Sequence, residues 1–195
     1  MSYFSAASYV TQNTRGRRGR IVALINTLGM GLVYVGAVLI VNGLWLLGYG
    51  DGKDVAILNF LTGLITFLIA AWWAFFPEAS GGSSFNAAGT LLFSFTYLWV
   101  GANAWRGIED QRGFGWYCLF VAALAAPTGF LVFQAGDIGL AALWWIWAVL
   151  WFTFWVLLGI ERDEYTSAVG WYTTAVGIVS GAAGYVMAMG AWPWA

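Results

Sequence analysis

IGLAALWWIWAVLWFTFWVLLGI, residues 138–160, runs for twenty-three residues without a charge. About 20 apolar residues in a helix cross the roughly 30 Å hydrocarbon core of a bilayer, so this stretch alone is enough to embed the chain in lipid. Five further uncharged runs accompany it, at 21–50, 55–77, 79–105, 113–136 and 165–195. All nine acidic and all eight basic residues of the 195-residue chain fall outside the six runs. A charge at mid-membrane is costly, and its exclusion from every run marks lipid-embedded segments. The fold class that follows is an all-α integral membrane protein, a six-transmembrane-helix bundle with spans near 24–47, 55–76, 86–105, 114–133, 138–158 and 168–190. Short links make consecutive helices adjacent and antiparallel, which predicts three antiparallel hairpins side by side.

Composition narrows the chemistry. Hydrophobic residues make up 61% of the chain and charged residues 9%, against about 25% charged in a soluble domain. Histidine is absent, which removes axial haem ligation by histidine, histidine–zinc chemistry and a histidine pH switch. The single cysteine, Cys118, allows neither a disulfide framework nor a CxxC motif. No lysine lies within a span, so a retinal Schiff base has no nitrogen to form on. No metal, cofactor or catalytic residue is expected, and a net charge of −1 without a basic domain argues against nucleic acid.

Residues 1–23 read as a flexible polar and basic extension and 24–195 as the membrane domain. No clean small-residue site follows the first apolar run, so a cleaved signal peptide is not expected. Orientation follows from the basic residues beside the spans. The links after helices 1, 3 and 5 carry Lys53, Arg106, Arg112 and Arg162, while the alternate links and the C-terminus carry none. Three independent links place themselves in the cytoplasm and both termini outside. The cluster Arg15, Arg17, Arg18 and Arg20 opposes this, one explanation being that the segment is not part of the natural start. Asp51 and Lys53 in the first link read as a surface ion pair.

A bundle with no buried charge is poorly suited to moving ions or protons, which need replacements for their hydration or ionisable relays. Passage of a neutral polar solute, or no passage, remains. LLFSFTYLW (91–99) puts Phe93 and Tyr97 on one helical face with Thr96 beside them. In 140–155, Trp144, Trp147 and Trp151 share a face that Leu140 and Leu143 begin and Leu150 flanks. Such a stripe usually serves packing or lipid contact, yet these tryptophans run through the centre of the span and not only its ends. Flat rings along a narrow path could stack on a planar amide, with indole N–H groups donating to its oxygen. Asn42, Asn59, Asn103 and Gln134 near span ends serve either interhelical hydrogen bonding or a polar pore. Gly36, Gly43, Gly63, Gly101, Gly177, Gly181 and Gly184 read as positions of close helix approach.

From about Leu28 onward the chain resembles the AmiS/UreI family of urea and short-chain amide channels. The resemblance rests on YVGAVLIVNG (34–43), ILNFLTG (57–63), LLFSFTYLW (91–99), WYCLFVA (116–122) with Pro127, and IWAVLWFT (146–153). It implies a homohexamer with a pore within each protomer and membrane lipid plugging the central hole. It implies that Leu28, Leu32 and Leu39, Phe93 and Tyr97, and Trp144, Trp147, Leu150 and Trp151 line the pore and form its constrictions. Leu140 stands where an acid-gated relative has tryptophan, which implies a wider mouth. Acid-gated relatives use extracellular histidines and a long second link; the absence of histidine here implies an ungated channel.

The function expected is passive passage of urea or small aliphatic amides such as acetamide across the cytoplasmic (inner) membrane, supplying a urease or amidase inside. Two other classes compete with it. A structural or assembly subunit would have a filled core and its Trp147 face outward. A secondary transporter of a neutral solute would need a coupling-ion site.

Overall fold

The protein is represented by a computed structural model that describes residues 3–194, with side chains from Gly19 onward. Helix α1 runs Tyr3–Leu46, α2 Gly52–Phe75, the short α3 Pro77–Ser80, α4 Ser84–Arg106, α5 Arg112–Gln134, α6 Ile138–Phe154 and α7 Thr166–Ala188. A π-helical turn, Trp155–Gly159, extends α6, and a 3-10 turn, Asp163–Tyr165, leads into α7. No strand occurs among the described residues. Among the described residues, four segments are long and apolar enough to cross a membrane: Gly19–Leu46, α2, α5 and α6 with its π turn. The first span was expected to begin near 24; the backbone instead continues as helix back to Tyr3. Most of the extension's side chains, including those of Arg15, Arg17 and Arg18, lie outside the described residues.

Local chemistry sets the helix ends. The Asp51 carboxylate accepts the backbone N–H of Lys53 at 2.8 Å and caps α2. It therefore satisfies one of the orphan donors at the helix start, and the surface ion pair expected between Asp51 and Lys53 is not formed. Ser83 caps α4 through the N–H of Asn86 at 3.1 Å, and Asp137 caps α6 through that of Leu140 at 2.8 Å. Gly107 ends α4 at φ 64°, a left-handed conformation that glycine adopts without a Cβ clash. Helix α5 continues through Pro127.

The most extensive packing joins α1 to α7, α2 to α4 and α5 to α6. The first of these pairs unites the two ends of the chain. It was not legible as a hairpin because no link connects the two helices. Along α1, Gly29, Gly36 and Gly43 recur every seven residues; a Cβ on them would meet Gly184 and Ala188, Gly177 and Gly181, and Gly170 and Thr174 respectively. The descending order of partners makes the pair antiparallel. Missing side chains let the two backbones touch, the usual basis of helix association in lipid. On α2 and α4, Gly63 meets Leu98 and Gly101 meets Ala56 and Phe60; on α5 and α6, Gly115 meets Gly159 and Gly129 meets Trp145. These two pairs are antiparallel as well.

Outward faces are apolar. Ile57, Leu61, Leu64 and Leu68 of α2 and Phe120, Leu124 and Leu131 of α5 are exposed, a surface that suits hydrocarbon. Polar side chains are turned inward, Asn59, Thr62, Ser94, Thr173 and Ser180 among them. This inversion of a soluble protein's pattern puts the hydrogen-bonding groups where helices can satisfy one another.

Candidate functional site: an aromatic partition between two cavities

Helices α4 and α6 face each other with large rings. Phe93 of α4 sits at the centre, its ring centroid 5.9 Å from Trp144, 4.8 Å from Trp147 and 4.7 Å from Trp151, all in edge-to-face geometry. Tyr97 lies one turn further, 6.5 Å from Phe93, and Trp144 meets Trp147 at 5.5 Å. Edge-to-face contacts set positive ring edges against negative faces, so each ring fixes its neighbour's tilt.

Hydrogen bonds lock the same rings. The Trp147 indole N–H donates to Ser180 Oγ of α7 at 2.9 Å, and that of Trp151 to Thr96 Oγ1 of α4 at 3.2 Å. Thr96 in turn donates to the Leu92 carbonyl at 2.7 Å, which also accepts the Tyr117 hydroxyl at 3.0 Å. The expectation that these indoles offer their N–H groups to a passing solute is therefore corrected for Trp147 and Trp151. Both donors are already engaged, because a buried N–H left unpaired would be costly.

Two cavities adjoin this cluster. The larger, about 590 Å³, lies toward the N-terminal end of α1 and is lined by Leu28, Leu32, Leu140 and Trp144 among others. The smaller, about 170 Å³, lies toward the C-terminal end of α1 and is lined by Leu39, Tyr97, Leu150 and Trp151, with Asn42, Thr96 and Gln111 as its polar members. Phe93 and Trp147 line both. They form the partition between the two spaces. Both linings are mainly apolar, and no Asp, Glu, Lys or Arg contributes to either.

The polar residues singled out from sequence divide in use, and Gln134, the last residue of α5, is exposed and lines neither cavity. Asn42 and Asn59 exchange a reciprocal pair of amide hydrogen bonds at 3.0 and 2.7 Å, and Asn59 donates again to the Val55 carbonyl at 2.9 Å. Asn103 donates to Gln111 Oε1 at 3.3 Å. Thr96 serves Trp151 as described. Ser180 and Gln111, which hold Trp147 and Asn103, were not singled out. Only their position within uncharged or link segments was visible, and their partners come from helices distant in sequence.

An all-helical bundle with long apolar helices, apolar outward faces and uncharged cavities beside an aromatic cluster has the make-up of an integral membrane protein. The chain belongs to the AmiS/UreI family of transporters, whose family model matches residues 27–191. A Mycolicibacterium smegmatis protein named for transport of amidate substrates is 37% identical over 84% of this chain and 78% of its own length. The acid-activated urea channel of Helicobacter pylori is 31% identical over 78% of this chain and 92% of its own. The crystal structure of that urea channel superposes with a TM-score of 0.68 at 30% identity, covering 83% of this chain and 95% of that one.

Proposed function

We propose that this protein is a passive channel for urea and small aliphatic amides, with the path running through each protomer between α1, α4, α5 and α6. The observation that carries the reading is the Phe93–Trp147 partition between two uncharged cavities, the larger of which also reaches the exposed Phe95 of α4 and Phe120, Leu124 and Leu131 of α5. A hydrated ion meeting that partition finds nothing to replace its water and is rejected. A small planar neutral solute can slide edgewise between rings that are held at fixed tilt. Leu28, Leu32 and Trp144 would shape the approach on one side, and Leu39, Tyr97, Leu150 and Trp151 the passage on the other. The names of the relatives, one for amidate substrates and one for urea, support this substrate class.

We read six spans in all, the four apolar ones together with α4 and α7. Their length supports this: α4 and α7 are each 23 residues, about 35 Å of helix, and lie antiparallel against α2 and α1. Residues 24–195 then form the channel domain. Lys53, Arg106, Arg112 and Arg162 all lie at the end of the bundle that holds the smaller cavity. By the excess of basic residues on cytoplasmic links, that end faces the cytoplasm of an inner membrane and both termini face outward. A homohexamer with lipid at its centre, delivering solute to a urease or amidase, is the assembly this reading implies.

The channel is ungated by histidine, since the chain has none. Stopped-flow light scattering on proteoliposomes tests the whole reading, comparing urea, acetamide and glycerol at pH 7.5 and pH 5 against empty liposomes. Fast flux of either amide at both pH values is expected. No flux above empty liposomes from folded protein would turn the reading to a structural subunit.

A further inference from the structure

Resting on the channel reading, we propose that the smaller cavity holds a hydrogen-bonding station for a planar carboxamide, formed by Asn42 and Gln111 and braced from behind by Asn59 and Asn103. Asn42 of α1 and Gln111 at the start of α5 both line this cavity. Each is held by a second asparagine on a different helix: Asn42 by the reciprocal pair with Asn59 of α2, Gln111 by Asn103 of α4.

The accounting of donors explains why these two residues and not their braces face the solute. Asn59 is fully buried and spends both N–H bonds, on Asn42 Oδ1 and on the Val55 carbonyl, while its oxygen accepts from Asn42. Asn42 spends one N–H on Asn59, and no second acceptor for it lies within hydrogen-bond reach among the described residues. Gln111 uses its oxygen with Asn103, and its amide N–H groups donate to nothing among the described residues. An Asn side chain has two N–H donors and an acceptor oxygen with two lone pairs. The cavity is therefore edged by spare N–H donors, with the Asn42 oxygen retaining a lone pair.

Urea and acetamide carry the complementary edge, a carbonyl oxygen beside an N–H. The Asn42–Asn59 pair is itself an example of that edge meeting its like. Beyond the apolar partition, a solute that has shed its water regains hydrogen bonds here before entering bulk solvent. Solutes lacking the amide edge gain less. The station selects for amides by recognition, whereas the rings select by shape.

The test uses the full chain in proteoliposomes, with Asn42→Leu and Gln111→Leu, and osmotic water flux measured in the same vesicles. Losing a donor should lower urea and acetamide flux roughly three- to tenfold, with water flux unchanged. Asn42→Leu strands the buried Asn59 at a cost to the fold; Asn42→Leu with Asn59→Leu removes the pair together, and Gln111→Leu decides independently. Wild-type amide flux with no loss in folded variants, or equal loss of amide and water flux, overturns the station while leaving the channel intact. Absence of amide flux in the wild type overturns the channel reading itself.

Discussion

The α1–α7 seam and the α4–α6 face are both places where two helices meet, built from residues of opposite size. Along the seam, Gly29, Gly36 and Gly43 meet the backbone of α7, and the two helices close on each other without a gap. Across the α4–α6 face, Phe93, Trp144, Trp147 and Trp151 hold the backbones apart, and cavities lie on both sides of the rings. The difference teaches that in lipid, where apolar surface gains little by leaving hydrocarbon, the volume of the facing side chains decides whether an interface is a seal or a path.

Filling the seam should break the comparison most severely. In Gly36→Leu the new side chain falls on the backbone of Gly177 and Gly181, which cannot yield as a flexible side chain would. A destabilisation of about 3 kcal/mol or more is expected, seen as loss of monodisperse protein on size-exclusion chromatography in detergent. Emptying the partition acts on the other region. Trp147→Ala joins the two cavities at their shared wall, and the urea-to-glycerol flux ratio should fall on the order of tenfold, the discrimination an apolar pocket supplies.

Ser180→Ala sharpens the comparison, because it touches the partition only through the N–H it accepts from Trp147. Leaving that indole unpaired should cost about 1 kcal/mol, measured as a lower thermal midpoint, and loosen the ring so that glycerol flux rises before urea flux changes. The smallest effect is expected from acid. Without histidine, no side chain of the ordinary kind changes charge between pH 5 and pH 8. Outside the spans, the Arg112 guanidinium, hydrogen-bonded to Asp110, holds that carboxyl down at about 2. A depressed carboxyl stabilises the fold above its unfolded value near 3.8, and that contribution is lost only as pH falls toward about 2. Flux and thermal midpoint should be the same at pH 7.5 and pH 5, and a steep change in either would expose a titrating group elsewhere.

Much of this architecture was readable from charge placement. The expected spans 86–105 and 114–133 correspond to the helices Ser84–Arg106 and Arg112–Gln134, because a charge or a glycine ends an apolar helix within a residue or two. The caps were less readable: Asp51 resembled an ion-pair partner, and its role as an acceptor depends on backbone N–H directions that composition does not show. The aromatic stripe was readable as a stripe. That Trp147 and Trp151 give their N–H groups to Ser180 and Thr96 was not, since the partners sit 33 and 55 residues away.

The sequence by itself determined that the chain is a helical membrane protein, where its apolar helices lie and which faces carry rings or glycines. These follow from local quantities: the cost of charge in hydrocarbon and the helical period of side chains. Only the tertiary structure decided that the first helix pairs with the last, that Phe93 and Trp147 divide two cavities, and that Asn42 and Gln111 keep spare donors while Asn59 does not. Those outcomes depend on which side chains from distant helices reach one another, and hydrogen-bond valence is satisfied only in three dimensions.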